Sequence, residues 1–295
     1  MKPLFKDGKT KCVTLSYDDG VTQDLRLIEL FDRYGLKCTF NLNSGLFGLK
    51  ASRNDFPKPV QNDRLPREQV EKAYKNHEIA VHTLTHPKLQ YLDRETIAYE
   101  VLEDRKNLEE IAGYPVTGMA YPYGTYDETV LEELRRCGIR YSRTTEATWT
   151  YAAPRDFLLW HPTIHFGDDR MERVVSGFLD PLMVNPDNSW LPILYVWGHA
   201  YELDGNDTWG LMEDFCRKVS RQKDVWYATN GEIERYVTAV RGLIVSADEK
   251  MVTNPSAEPV WLLHEGETVK VDSGSTKEFG KKKPVSAVYT LEGWK

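Results

Sequence analysis

Two hydrophobic periods alternate along the first 240 residues. Short runs rich in β-branched and aromatic residues are typical of strands, and they alternate with segments whose apolar residues recur at helical spacing. The predicted strands are residues 11–17, 38–42, 78–82, 116–121, 139–143, 158–166, 191–197 and 225–228. The predicted helices are residues 24–34, 67–76, 93–112, 127–137, 169–179, 209–220 and 232–240. This alternation predicts an α/β fold with a parallel sheet, and seven to eight strands indicate a closed or nearly closed barrel.

The pattern changes after Gly242. Short strand-like segments at residues 243–246, 259–263, 268–271 and 287–289 are separated by turns, and no helical period fits there. We therefore predict a barrel domain over residues 1–241 and a small C-terminal β-strand accessory region over residues 242–295. Between the second predicted strand and helix, residues 44–65 form a long loop, and long loops in compact domains are often functional.

Composition and charge exclude several classes of protein. The net charge of −7 disfavours a nucleic-acid binder, which usually carries a basic surface. No apolar run reaches the ~18 residues that a membrane span needs. The first residues lack the apolar core of a signal peptide, so the sequence as written predicts a cytoplasmic protein. A chain whose signal peptide had been removed would look the same, which leaves an extracellular location open. The oligomeric state is also left open.

Two adjacent carboxylates, Asp18 and Asp19, follow the first predicted strand directly. Neighbouring side chains on a strand point to opposite faces, so both can serve one site only where the strand has ended. Gly20 permits such a turn. One carboxylate could then bind a metal while the other faces the attacking water, although Asp-Asp-Gly is also a common structural turn.

His82 and His86 follow the third predicted strand. At a spacing of four residues, two histidines point the same way on one helical turn, which is a common zinc-ligand spacing. Together with Asp19, the two histidines predict a metal site with open coordination positions, as catalysis requires.

Two further strand ends carry candidate chemistry. Pro122, Tyr123 and Gly124 close the fourth strand, and a backbone N–H exposed at such a turn could stabilise an oxyanion. An apolar strand ends in Trp197, Gly198 and His199, which is suitable placement for a general acid. We group Tyr123, Pro122 and Trp197 as candidate oxyanion or substrate-binding residues.

These segments, in this order, resemble the polysaccharide deacetylases of carbohydrate esterase family 4, which share the NodB homology domain. Residues 16–20 are similar to the family's first motif, Thr-Phe-Asp-Asp-Gly, and residues 82–86 match the second, His-Ser/Thr-x-x-His, in full. Residues 122–124 match the end of the third motif, and residues 196–199 match the fifth loosely. The form Trp-Gly-His-x-Tyr-Glu resembles a subgroup that includes domains attached to gellan-lyase-like proteins.

The resemblance implies a distorted (β/α) barrel and a role for each matched residue. Asp19, His82 and His86 would bind one divalent metal, with zinc favoured and cobalt, nickel or manganese possible. Asp18 would be the general base. Tyr123 would contribute its backbone amide to the oxyanion hole, and His199 would be the general acid that protonates the departing amine.

Two departures from the family pattern concern the partners of Asp18. Ala120 stands where the third motif has an arginine, and the fourth motif, Asp-x-x-Asp-Trp, is missing. Arg143 and Arg155 are candidate replacements for the arginine. His165 is a candidate cleft residue, with a structural role as the alternative.

The leading hypothesis is a metal-dependent hydrolase that removes N- or O-linked acetyl groups from an oligo- or polysaccharide. One alternative is an amide hydrolase that acts on a non-sugar substrate. A second alternative is a carbohydrate-binding protein on the same fold that has lost catalysis, which the missing arginine slightly favours.

Overall fold

The structure, a computed structural model, describes residues 1–180 and 191–280. Within these residues the strands are β1 (Lys2–Leu4), β2 (Lys11–Asp18), β3 (Cys38–Leu42), β4 (Ser52–Arg53), β5 (Val60–Gln61), β6 (Glu78–Val81), β7 (Gly118–Ala120), β8 (Tyr141–Arg143), β9 (Ile164–His165), β10 (Ile193–Gly198), β11 (Val225–Tyr227), β12 (Ile244–Val245), β13 (Met251–Asn254), β14 (Val260–His264), β15 (Glu267–Val271) and β16 (Ser275–Glu278). The α-helices are α1 (Asp24–Tyr34), α2 (Arg67–Ala73), α3 (Arg94–Ala112), α4 (Glu128–Arg136), α5 (Met171–Leu179), α6 (Ala200–Gly205), α7 (Trp209–Val219) and α8 (Asn230–Arg241). None of the helices in the described residues is long and apolar enough to cross a bilayer.

The chain divides into two compact units, Lys9–Arg235 and a second unit made of Met1–Gly8 with Tyr236–Lys295. The predicted division of the chain at residues 241 and 242 into a barrel and an accessory region stays a prediction. In the second unit, β14 pairs with β1 and β15, and β13 pairs with β12 and β16, all antiparallel. These strands confirm the prediction for residues 243–246, 259–263 and 268–271, whereas residues 287–289 lie outside the described part of the chain.

The first unit is built on a curled parallel sheet in the order β8-β7-β6-β3-β2-β10-β9, with β11 also paired to β2. This is the predicted distorted (β/α) barrel. All eight residues of β2 are buried, as expected for a central strand of a parallel sheet that is covered on both faces. The strands are parallel, so their carboxyl ends lie at the same edge of the sheet, where the candidate site residues are found.

Residues 158–166 differ from the prediction of one continuous strand. Phe157–Leu159 forms a 3-10 turn that Asp156 caps by accepting a hydrogen bond from the Leu158 amide at 2.9 Å. Strand structure returns only at β9, because Pro162 has no N–H to donate to a ladder. Near the start of this segment the Trp160 amide donates to Ser142, and near its end the Phe166 amide donates to Trp197. One irregular segment thus contacts the strands at both edges of the sheet.

Candidate active site

The two adjacent aspartates diverge because β2 ends between them. Asp18 is the last residue of β2, and Asp19 adopts a left-handed backbone conformation with φ of 86°. Both side chains are buried, and Gly20 continues the turn at φ of 66°. The change of backbone direction lets both carboxylates face the same space at the edge of the sheet. This agrees with the expectation that two adjacent carboxylates can share a site only where the strand has ended.

His82 and His86 converge through a loop and not through the helical turn that their spacing predicted. The loop after β6 places Thr83 and His86 in the left-handed region, with φ of 66° and 63°. The Thr83 hydroxyl accepts a hydrogen bond from the His86 amide at 3.1 Å, which closes the loop. The imidazole rings then meet edge to face, with their centroids 4.8 Å apart. The predicted helical turn was wrong, although the two imidazole rings do lie close together.

The donor atoms of Asp19, His82 and His86 fit a divalent metal ion. One ligand atom from each residue lies within 4.8 Å of the others. The Nδ1–H of His82 donates to the Ala120 carbonyl at 2.8 Å, which leaves Nε2 facing Asp19 Oδ1 at 4.0 Å. His86 Nε2 lies 3.8 Å from the same oxygen. Two imidazoles and one carboxylate are a donor set that zinc and other borderline divalent ions accept, with positions left open.

The protonation states of Asp19, His82 and His86 near pH 7 favour metal binding. Burial lowers the pKa of His82, and burial together with His82 lowers the pKa of His86 to about 4, so both imidazoles are neutral near pH 7. Burial alone would raise the pKa of Asp19, but Arg64 and the neighbouring histidines hold it well below its usual range. Metal binding needs neutral imidazoles and an ionised carboxylate, so no proton has to be removed first.

Arg64 is a site residue that the sequence did not predict. One guanidinium nitrogen lies 3.1 Å from Asp19 Oδ1, and the other donates to the Asp19 carbonyl at 2.8 Å. Arg64 belongs to the predicted loop 44–65, which in the structure also contains the β4–β5 hairpin. The sequence holds no signal for this contact, because it depends on how the loop folds over the Asp19 turn.

Arg143 replaces the arginine that is missing at position 120. Its guanidinium forms a short ion pair with Asp18 Oδ2, and its side chain is fully buried. Ala120 and Arg143 are register partners on β7 and β8, so the cation enters the site from the neighbouring strand. Of the two arginines considered from the sequence, Arg143 is therefore the one that contacts Asp18.

Asp18 is held on both carboxylate oxygens. Asn41 Nδ2 donates to Oδ1 at 2.8 Å, while Oδ2 faces Arg143 and lies 3.9 Å from Nε2 of both His82 and His199. Burial by itself would raise the pKa of Asp18, but Arg143 first, then His82 and His199, outweigh burial and lower it. Asp18 is therefore ionised near neutral pH, as a carboxylate base must be.

His199 lies at the junction of β10 and α6, with its ring turned toward Asp18. Burial disfavours the charged imidazolium, but a hydrogen bond and the charge of Glu202, followed by Asp19 and Asp18, raise the pKa of His199 to about 9. His199 is therefore protonated near pH 7, as a general acid must be, whereas His86 is neutral. Asp18 is thus ionised and the facing His199 is protonated, because their surroundings shift the two pKa values in opposite directions.

The remaining predicted site residues surround this centre. Pro122 is buried, whereas Tyr123 is 56% exposed, and its ring lies 4.7 Å from that of His86. Tyr123 has φ of 58°, and the next residue must be glycine, because a Cβ at Gly124 would lie 2.0 Å from Thr145 Oγ1. Trp197 is only 7% exposed and supports the Arg143 guanidinium, which lies 4.3 Å from the ring centroid. Little of the Trp197 ring is left for a ligand, so its predicted substrate contact stays a prediction.

A titration can check the opposite pKa shifts of the histidines. In the metal-free protein, His199 should lose its proton only as the pH rises through about 9, whereas His86 should stay neutral down to about pH 4. Removing the carboxylate with Glu202→Gln should lower the pKa of His199, since Glu202 is the largest raising influence. Histidine NMR signals followed against pH give both values. A His199 that titrates below 6.5 in the wild type would contradict this electrostatic account.

Replacement of a ligand histidine tests the candidate metal centre. His82→Ala should weaken metal binding by at least ~10–100-fold, a loss that even indirect partners of metal ligands produce. The measurement is metal content and affinity by competition with a chelator. His77→Ala is a matched control, because His77 is buried but contacts Asp32 and the Cys38 amide, away from the three ligands. Unchanged affinity in His82→Ala would remove His82 from the metal site.

The fold and this arrangement define a class: a parallel (β/α) barrel with a candidate metal and acid–base centre at the carboxyl edge of its sheet. Residues 5–142 match the polysaccharide deacetylase family. The match spans slightly less than half of the 295 residues. The matched residues include Asp18, Asp19, His82, His86 and Tyr123, whereas His199 lies beyond them.

Relatives share part of the chain. The peptidoglycan-N-acetylglucosamine deacetylase PgdA of Listeria monocytogenes (strain 10403S) is 28% identical over 152 residues, which are 50% of this chain and 29% of PgdA. YxkH of Bacillus subtilis (strain 168) is 28% identical over 154 residues, 51% of this chain and 50% of YxkH. A solved structure from Mycobacterium smegmatis assigned to the polysaccharide deacetylases is 17% identical, has a TM-score of 0.54, and covers 82% of this chain and 95% of that one. At 17% identity, the similarity to the Mycobacterium smegmatis structure shows a shared fold alone.

Proposed function

We propose that this protein is a metal-dependent hydrolase that removes acetyl groups from a carbohydrate. The observation that carries the proposal is the convergence of a candidate metal group, a carboxylate and a histidine at the carboxyl edge of the sheet. Asp19, His82 and His86 offer a metal-binding set, and Asp18 Oδ2 lies 3.9 Å from Nε2 of both His82 and His199. The match of residues 5–142 to the polysaccharide deacetylase family supports the same chemistry. The name of PgdA describes removal of acetyl groups from peptidoglycan N-acetylglucosamine, and an acetylated oligo- or polysaccharide is the substrate that we propose here.

The first chemical step belongs to Asp18. When a divalent ion is bound by Asp19, His82 and His86, it supplies Lewis-acid polarisation of the acetyl carbonyl and of water. Asp18 takes the proton from the water whose oxygen forms the new bond to the acetyl carbon. Arg143 and Asn41 hold the Asp18 carboxylate ionised and in one orientation while this happens. Zinc suits the donor set, and cobalt, nickel and manganese are the alternatives.

The second step belongs to Tyr123 and His199. The Tyr123 amide, turned by its left-handed backbone, is the proposed donor to the oxygen that gains charge as the carbonyl is attacked. His199 gives its proton to the nitrogen as the carbon–nitrogen bond breaks, which releases acetate and an amine. The exposed Tyr123 ring beside His86 is placed to pack against a sugar ring.

Acetate release from a panel of acetylated oligosaccharides tests this function. We expect release with metal present, loss after chelation, and recovery when zinc is returned. Small non-sugar amides belong in the same panel, because release from them alone would establish the amide-hydrolase alternative. Absence of release from every substrate, together with retained glycan binding, would establish a binding protein instead.

Comparison of two leaving groups isolates the role of His199. His199→Ala should lower kcat on an N-acetyl substrate by roughly 10²–10⁴-fold, the usual contribution of a general acid or base. Phenyl acetate should be affected much less, because phenolate leaves without needing a proton. The measurement is kcat on both substrates in the metal-loaded variant. Equal losses on the two substrates would indicate a structural or oxyanion role for His199.

A further inference from the structure

A second cluster adjoins the site, and it consists of one carboxylate shared between two histidines. Glu202, in the first turn of α6, has Oε1 3.0 Å from Nδ1 of His199 and Oε2 3.1 Å from Nε2 of His165. Oε2 also accepts the backbone N–H of His199 at 3.2 Å. All three side chains are mostly buried, with exposed fractions of 20–28%. Each oxygen of Glu202 therefore contacts the ring of a different histidine.

The hydrogen bonds define which nitrogen of each ring carries a proton. Nδ1 of His165 accepts the Gly167 amide at 3.0 Å, so in the neutral ring the proton lies on Nε2 and is donated to Glu202. Nδ1–H of His199 likewise donates to Glu202, which leaves Nε2 of His199 directed at Asp18. Nε2 is the atom that must deliver a proton if His199 is a general acid.

We propose that His165 is a positioning residue, which holds Glu202 so that Glu202 in turn holds His199 with Nε2 pointing into the site. Without His165, Oε2 of Glu202 keeps only the bond from the His199 amide, and the carboxylate can turn away from Nδ1. The Trp197 ring fills the space beside the cluster, with its centroid 4.6 Å from that of His165 and 5.7 Å from that of His199. The catalytic meaning of this role rests on the proposed function, whereas the orientation of His199 does not.

Two substitutions at His165 separate positioning from bulk structure. His165→Leu removes the donor, and His165→Gln retains an amide N–H that can reach Glu202. His161→Leu is the matched control, since His161 lies on the same segment but contacts Thr144 Oγ1. We expect His165→Leu to lower kcat on an N-acetyl substrate by about 10-fold at unchanged KM, in the range seen when partners of active groups are removed. His165→Gln should recover most of this loss, and His161→Leu should change nothing.

A spectroscopic measurement in the metal-free protein decides the matter independently of activity. Above about pH 9, where His199 is neutral, its side-chain ¹⁵N shifts, assigned with His199→Ala, should show the proton on Nδ1 in the wild type and in His165→Gln. They should show a mixture of tautomers in His165→Leu. An unchanged tautomer and unchanged kcat in His165→Leu would overturn the proposal, as would a His165→Gln variant no better than His165→Leu. Binding of a second metal ion that depends on His165 would show instead that the cluster is a metal site. A wild type with no activity would contradict the proposed function. The tautomer of His199 would still show whether His165 positions it.

Discussion

Asp18→Asn should suppress turnover by roughly 10²–10⁴-fold while metal stays bound. The substitution keeps the shape of the side chain but removes its ability to accept a proton from water. We expect metal to stay bound because Asp18 lies outside the candidate metal group, with its Oδ2 paired with Arg143 and its Oδ1 with Asn41. The measurement is kcat for acetate release together with metal content of the purified variant.

Asp19→Asn is the matched comparison, since it makes the same chemical change one residue along the chain. This variant should lose metal as well as activity, because Asp19 Oδ1, the proposed ligand atom, faces both histidines. Equal metal loss in the two variants would mean that both carboxylates are ligands. The general base would then have to be sought elsewhere.

Arg143→Met should destabilise the folded protein by roughly 3–5 kcal/mol, because it leaves the buried Asp18 carboxylate without its cation. The measurement is the free energy of unfolding in urea at pH 7. Arg140→Met is the control: Arg140 also pairs with a carboxylate, that of Glu234, but its own side chain is 51% exposed, and the expected loss is below about 1 kcal/mol.

The pH dependence of this loss provides a second check. In the wild type the pKa of Asp18 lies below its unfolded value of about 3.9, so the ion pair stabilises the fold above that pH and loses its contribution as the pH falls. In Arg143→Met the pKa should rise, and a protonated Asp18 carries no uncompensated charge. The difference between the two proteins should therefore shrink in acid. A difference that is the same at pH 4 and pH 7 would assign the loss to packing against Trp197.

The strand–helix order and the strand-end motifs were predictable from sequence because both are local. Hydrophobic periods and capping signals lie within a few residues of the elements that they specify. The Asp93 cap of α3 and the left-handed Gly113 at its end are examples. Parallel strands bring their carboxyl ends to one edge, which is why Asp19, His82 and His199 could be placed together without knowing the loops.

The partners of these residues were much less predictable. Arg143 reaches Asp18 only because β8 lies in register with β7, and Arg64 reaches Asp19 only through the fold of a long loop. Glu202 is different, because its spacing of three residues from His199 places it in the first turn after a strand end. That local signal could have identified it. The continuous strand predicted over residues 158–166 ignored the missing donor of Pro162.

The left-handed backbone at Asp19, Thr83, His86 and Tyr123 has a consequence for engineering heat resistance. Each position holds a side chain other than glycine in a conformation that costs roughly 1–2 kcal/mol. Screens for thermal stability would therefore favour glycine at these turns, whereas screens for turnover would retain the carboxylate of Asp19 and the imidazole of His86. At these positions, selection for stability and selection for turnover favour different residues. Gains in melting temperature therefore have to come from substitutions elsewhere in the barrel.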